Sequence, residues 1–286
     1  MKIKYNPNTM FVYPVTEDKL NQVVSKLQGK SATGFDQIPE FLVKECIQYI
    51  KKPLIFIFNV SINQDIFADL MKIAKIRPIF KKGDGYDTSN YVLSFFTKIL
   101  EKQIYNRLIL FISKHNILTD AERGFRDNKS TEMASHIFIE NILESTDKQL
   151  YVLGLLFDLT KAYDTINNEI LLNILEYYGI RGTLKSWIKF YLLYWSQFVE
   201  IFKTDNIRRN QKIYEALFKE IKHWAPQGYI LGTLLYLLYI NDLPLIIQNA
   251  KLVLFADYIN ILIINKNIDA VQAMLNRVIK PFATWF

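Results

Sequence analysis

One cysteine, three histidines, ten glycines and eight prolines in 286 residues are the scarcities of this chain. A lone Cys46 excludes an internal disulfide framework and fits a reducing compartment. The histidines are too scattered to give zinc-ligand spacing. Little glycine and proline, with half the residues apolar, argues against disorder throughout and allows a sizeable core in one large or two small domains. Long hydrophobic runs are missing as well. The longest uncharged one, "YILGTLLYLLYI", has 12 residues, where about 20 are needed to span a bilayer, so a buried helix is expected there. No basic-then-apolar leader opens the sequence, and the expectation is an intracellular protein of nucleus or cytoplasm with no membrane partner. Acidic charge is the scarcer sign: 35 Lys and Arg against 28 Asp and Glu leave a net charge of +7. That balance suits a polyanionic partner and equally suits a solvated surface.

What is present reads first as helices. "VTEDKLNQVVSKLQGK" places Leu20, Val23, Val24 and Leu27 at helical spacing, with Thr16 as cap and Gly29 as stop. A Gly-containing turn and a second helix follow in "SATGFDQIPEFLVKECIQYI". "KIRPIFKKGDGYDTSNY" reads as a short strand entering a Lys- and Gly-rich loop. Two further segments carry a 3.6-residue period, the second capped by Ser130 or Thr131. From Leu150 the pattern changes. "LYVLGLLFDL" is a strand-length apolar run, and "NNEILLNILEYYG" is a capped helix ending at Gly179. "SQFVEIF" reads as a strand and the residues after it as a basic polar insert. A Pro/Gly turn then opens the buried helix, which Pro244 closes. "KLVLFA" and "NILIIN" form a hairpin turning at Asp257-Tyr258. There is no internal repeat and no low-complexity linker.

Asp158 ends one apolar strand and Asp257 sits at the hairpin turn, 99 residues later. If the two strands are neighbours, the carboxylates converge. Buried carboxylates are costly without counter-charge, and divalent cations supply it. Magnesium takes one or two carboxylates together with phosphate oxygens, which points to nucleotide chemistry. The alternative reading makes Asp158 a cap and Asp257 a turn residue.

"LLFDLTKAYDTINNEILLNIL", "APQGYILGTLLYLLYINDLP" and "LVLFADY" resemble, in order and spacing, the palm motifs of non-LTR (LINE-type) retrotransposon reverse transcriptases. Upstream, "GKSATGFDQIPEFLVKE", "PIFKKGDGYDTSNY", "TKILEKQIYNRL" and "GFRDNKSTEMA" resemble finger and palm-entry segments of the same family. The resemblance implies an α+β right-hand polymerase fold with an antiparallel palm sheet packed on helices. Fingers and palm-entry helices would occupy residues 1–148, and a palm with the three catalytic-type motifs residues 149–286. It implies an RNA-directed DNA polymerase that uses two Mg2+ (or Mn2+) ions, an RNA template, a DNA primer and deoxynucleoside triphosphates. By the same resemblance Asp158 and Asp257 bind metal and are catalytic, and Tyr163 excludes a ribose 2'-hydroxyl. Gln227 and Gly228 line the nucleotide pocket, Lys81 and Lys82 approach the triphosphate, and Arg126 contacts nucleic acid.

The chain also departs from that family. The usual Phe-Ala-Asp-Asp has Tyr258 in its last place, a neutral phenol where a carboxylate is expected. "NYVLSFFTKILEK" lacks the Arg-Pro-Ile-Ser of its counterpart. Trp224-Ala225 replaces Gly-Val, Tyr229 replaces a small serine, and Gly232-Thr233 replaces Gly-Pro. The sequence stops at Trp285-Phe286, where the family continues into a lysine-bearing strand, a primer grip and a thumb. The expectation is weakened activity, with a catalytically inactive nucleic-acid-binding or structural remnant as the alternative.

Overall fold

A computed structural model describes residues 5–28, 33–76, 79–80, 86–87, 91–126, 129–159, 166–204, 211–215, 218–220 and 229–285. Helices and small, largely antiparallel sheets make it an α+β protein. The chain forms two compact units. One takes Asn6–Phe111 and Tyr163–Thr233, the other Met1–Tyr5, Ile112–Ala162 and Leu234–Phe286. The sequence division at 148/149 therefore crosses both.

In the first unit, α1 (Glu17–Lys26) starts where Thr16 accepts a hydrogen bond from the Lys19 amide, and it buries Leu20, Val23 and Val24. It packs on α2 (Glu40–Asn63), which continues through Pro53. A 3-10 turn, Asp69–Lys72, leads into β1 (Ile73–Ile76), β2 (Ile79–Phe80), β3 (Tyr86–Asp87) and β4 (Tyr91–Val92). The long helix α3 (Phe95–Lys114) follows. Later in the chain come α5 (Asn168–Tyr177), capped by Asn167, and α6 (Gly182–Leu192). β6 (Ser196–Thr204) pairs in parallel with β1 and antiparallel with β7 (Gln211–Glu215) and β8 (Lys219–Glu220). The segment expected as a basic insert thus contains two strands. β7 reads Gln-Lys-Ile-Tyr-Glu and β8 only Lys-Glu, too short and too polar to show a strand period. The core of this unit is aromatic: Phe67 lies between Trp187, Tyr191 and Trp195, with centroids 5.3, 5.3 and 6.0 Å away.

Gly179 ends α5 with φ +95. A Cβ there would stand 2.1 Å from the Asn8 carbonyl oxygen, so glycine lets the N-terminal segment pass. Asn6 and Met10 donate their amides to the carbonyls of Tyr177 and Gly179 and fasten that segment.

The second unit is built on one sheet of order β5-β10-β9: β5 (Tyr151–Asp158), β9 (Lys251–Phe255) and β10 (Tyr258–Asn265). Ile259, Ile261 and Ile263 are buried on one face, where α9 (Ile268–Trp285) packs and Phe282 stacks on Phe157 at 4.5 Å. α4 (Thr131–Asp147), capped by Ser130, lies against β5 and β9. α7 (Ile230–Ile240) is the expected buried helix. Pro244 does not close it: α7 ends at Ile240, and Pro244 sits in the first turn of a separate α8 (Leu243–Ile246), where a missing amide costs nothing. The hairpin turn is also one residue earlier than expected. Ala256 and Asp257 form it, and Tyr258 is already in β10, opposite Phe255.

Candidate active site

The order β5-β10-β9 brings the two sequence-predicted aspartates to one end of one sheet. Tyr258 stands directly across from Asp158 in the antiparallel ladder, so Asp257 is its diagonal neighbour. The Leu159 amide donates to the Asp257 carbonyl at 3.0 Å, extending the ladder past both acids. The expectation that these carboxylates are buried is corrected: Asp158 is exposed and Asp257 half-buried. The cause is the pleat. Asp158, Leu156 and Gly154 share the face of β5 that α9 does not cover, and α4 lies against this face at Gly154, where Phe138 is 3.8 Å from a would-be Cβ. Above that point Leu156 is 70 % exposed and Tyr258 50 %. The site is therefore an open ledge carrying two acids, with a phenol between them in the ladder.

Two carboxylates on neighbouring backbone positions, open to solvent, are the hard oxygen donors that suit Mg2+, an ion that needs one or two from protein when phosphates supply the rest. Among the described residues no third acid, His or Cys joins them to make a larger ligand group. Tyr258 brings a neutral oxygen where a further carboxylate would add charge.

The segment before α4 borders β9, the strand that carries the turn with Asp257. Leu254 donates its amide to Ala121 O and accepts from the Arg123 amide, both at 2.9 Å, so residues 121–123 run beside β9. Glu122, fully buried, accepts from the Gly124 amide. Its second oxygen, Oε2, has no hydrogen-bond partner among the described residues. Burial pushes its carboxyl up to about 7, against the pull of surrounding amides, Ala256 among them, and of Arg126. The Nη1 of Arg126, predicted to touch nucleic acid, donates to the carbonyls of Thr119 and Glu122 at 2.7 and 3.1 Å. Tyr163, Gln227, Gly228, Lys81 and Lys82 lie outside the described residues.

The first unit holds a second buried acid that the sequence reading missed. Glu101 accepts from the Tyr191 hydroxyl at 2.7 Å and from the amide of Ile230, the first residue of α7, at 2.9 Å. Burial raises its carboxyl to about 7, opposed by those hydrogen bonds and by Lys98. Its signal was available. Thr97, Glu101, Ile104 and Leu108 follow one helical stripe, all fully buried, so an acid occupied a core position. Glu122 sits in an isolated bridge beside β9, in a stretch without periodicity, and gave no such signal.

The model of the family described as reverse transcriptase (RNA-dependent DNA polymerase) matches residues 79–286, more than half of the chain. The chain belongs to the reverse transcriptase family. The resemblance to LINE-type reverse transcriptases is borne out by curated relatives. An RNA-directed DNA polymerase from mobile element jockey of Drosophila melanogaster is 25% identical over 284 residues, covering 95% of this chain and 30% of the relative. Its counterpart from Drosophila funebris is 27% identical over 238 residues, covering 81% and 25%. A probable RNA-directed DNA polymerase from transposon BS of Drosophila melanogaster is 25% identical over 244 residues, covering 82% and 25%. This reverse transcriptase chain spans between a quarter and a third of the length of these relatives.

Proposed function

We propose that the chain is the fingers and palm of an RNA-directed DNA polymerase, which extends a DNA primer on an RNA template with deoxynucleoside triphosphates. The observation that carries the reading is the β5–β10 ladder, which sets Asp158 diagonal to Asp257 at an open sheet end. Asp158 and Asp257 would hold two Mg2+ or Mn2+ ions. Bound there, such ions lower the pKa of the primer 3'-hydroxyl and neutralise charge on the departing diphosphate.

The chain's own part is positioning. β5 and β10 fix the spacing of the two acids through backbone hydrogen bonds, and the uncovered upper half of the face leaves room for a primer end. Tyr163 would reject a 2'-hydroxyl, Gln227 and Gly228 would border the nucleotide, Lys81 and Lys82 would meet the triphosphate, and Arg126 would contact nucleic acid. The palm is assigned to residues 149–286 and the fingers and palm-entry helices to 1–148.

Tyr258 favours a second reading. A phenol across from Asp158 removes negative charge from the place where cations must be held, so catalysis is weakened, or lost with nucleic-acid binding kept. Primer extension on an RNA template with Mg2+ separates the two. Extension that vanishes in Asp158→Ala and prefers deoxynucleotides to ribonucleotides supports the polymerase. Salt-sensitive primer–template binding without extension supports the remnant, because phosphate contacts release counterions.

A further inference from the structure

We infer that Glu122 and Tyr236 are positioning residues that clamp the Ala256–Asp257 turn and so hold the Asp257 carboxylate beside Asp158. The inference deepens the proposed function and rests on it only for the role of Asp257.

Ala256 has φ +54, a left-handed conformation that favours glycine, at the first of the two turn residues between Phe255 and Tyr258. A residue with a Cβ persists there only when its surroundings over-determine it. They do so from both sides. The Ala256 carbonyl accepts from the Tyr236 hydroxyl at 3.1 Å, and its amide lies against Gly124, whose own amide the Glu122 carboxylate accepts. Ala256, Tyr236 and Glu122 are all buried. Glu122 is delivered to this position by the backbone ladder between residues 121–123 and Leu254. Gly124 allows the approach, since a Cβ on it would stand 2.4 Å from the Ala256 nitrogen. One residue on, the Asp257 carbonyl is tied to the Leu159 amide. Asp257 therefore leaves a turn whose flanking peptide groups are each held, while its own carboxylate carries none of that work.

The test is backbone amide exchange of residues 255–258, read by NMR on the metal-free full chain, together with Mn2+ binding followed by electron paramagnetic resonance. Tyr236→Phe removes one hydroxyl and keeps the ring. It is expected to speed exchange at the turn about tenfold, the size of one buried hydrogen bond, and to weaken Mn2+ binding several-fold, with α9 amides unchanged. Ala256→Gly takes positive φ without strain, so in that background the effect of Tyr236→Phe shrinks to below about threefold. Glu122→Gln keeps a carbonyl acceptor and stays near wild type, whereas Glu122→Leu behaves like Tyr236→Phe. Unchanged turn exchange in folded Tyr236→Phe overturns the inference. So does an undiminished effect in the Ala256→Gly background, or a loosened turn with unaltered Mn2+ affinity. Turn exchange is read without substrate, so a protein that fails to extend primers would sink the polymerase reading and leave the clamp standing.

Discussion

Replacing Glu101 by glutamine should make the protein more stable in alkaline solution and leave it nearly unchanged in acid. The carboxyl is fully buried, and its pKa stands at about 7 in the fold against an ordinary 4.5. The folded chain therefore binds this proton more tightly than the unfolded one. The stability linked to it is complete below about pH 4.5, declines as pH rises, and is gone above about 7. A shift of that size corresponds to roughly 3 kcal/mol, or on the order of 6–10 °C in melting temperature for a chain of this length. The protonated acid can donate to the Tyr191 oxygen while still accepting from the Ile230 amide, and a glutamine amide reproduces that pair of contacts. Glu101→Gln thus mimics the neutral form at every pH. Thermal melts of wild type and variant from pH 5 to 8 should show a small difference at pH 5 that grows to several degrees in favour of the variant at pH 8. Comparing the two proteins cancels the parallel pH dependence of Glu122, whose carboxyl is raised in the same way. A difference independent of pH, or a variant that is less stable at pH 8, would refute the reasoning.

Phe67→Ala opens the aromatic core around Trp187, Tyr191 and Trp195 and should cost about 3–5 kcal/mol, measured by urea denaturation. Tyr258→Asp puts a second acid directly across the ladder from Asp158, so it should tighten Mn2+ binding in a calorimetric titration and raise the rate of primer extension. The same variant should melt slightly lower than wild type in metal-free buffer, because like charges opposed across a ladder repel, and recover when Mn2+ is added.

Much of the site was legible because strands and helices announce themselves by period. The switch at Leu150 from a 3.6-residue pattern to a dense apolar run located β5, and the hairpin after it followed from two apolar runs flanking one acid. The pairing of β5 with β10 needed only the supposition that two apolar strands bearing acids are neighbours. Other features depended on contacts that no local pattern encodes. The turn falls at Ala256–Asp257, where the Tyr236 hydroxyl bonds the carbonyl of a left-handed alanine, a contact with a residue 20 positions away in sequence. Strands β7 and β8 exist because β6 offers an edge, in a stretch whose polarity suggested a loop. The aspartates were expected to be buried because their flanking residues are apolar. In the fold Phe157 lies on the α9 side of the sheet while Leu156 and Asp158 share the other face, and the ladder ends leave the acids outside.

The central claim is that Asp158 and Asp257 act together in nucleotide transfer. Single-turnover addition of one deoxynucleotide to a primer paired with an RNA template, wild type against Asp257→Asn, tests it most directly. The account predicts metal-dependent addition that falls at least a hundredfold or so in the variant while primer–template affinity is unchanged. Equal rates in the two proteins would contradict it.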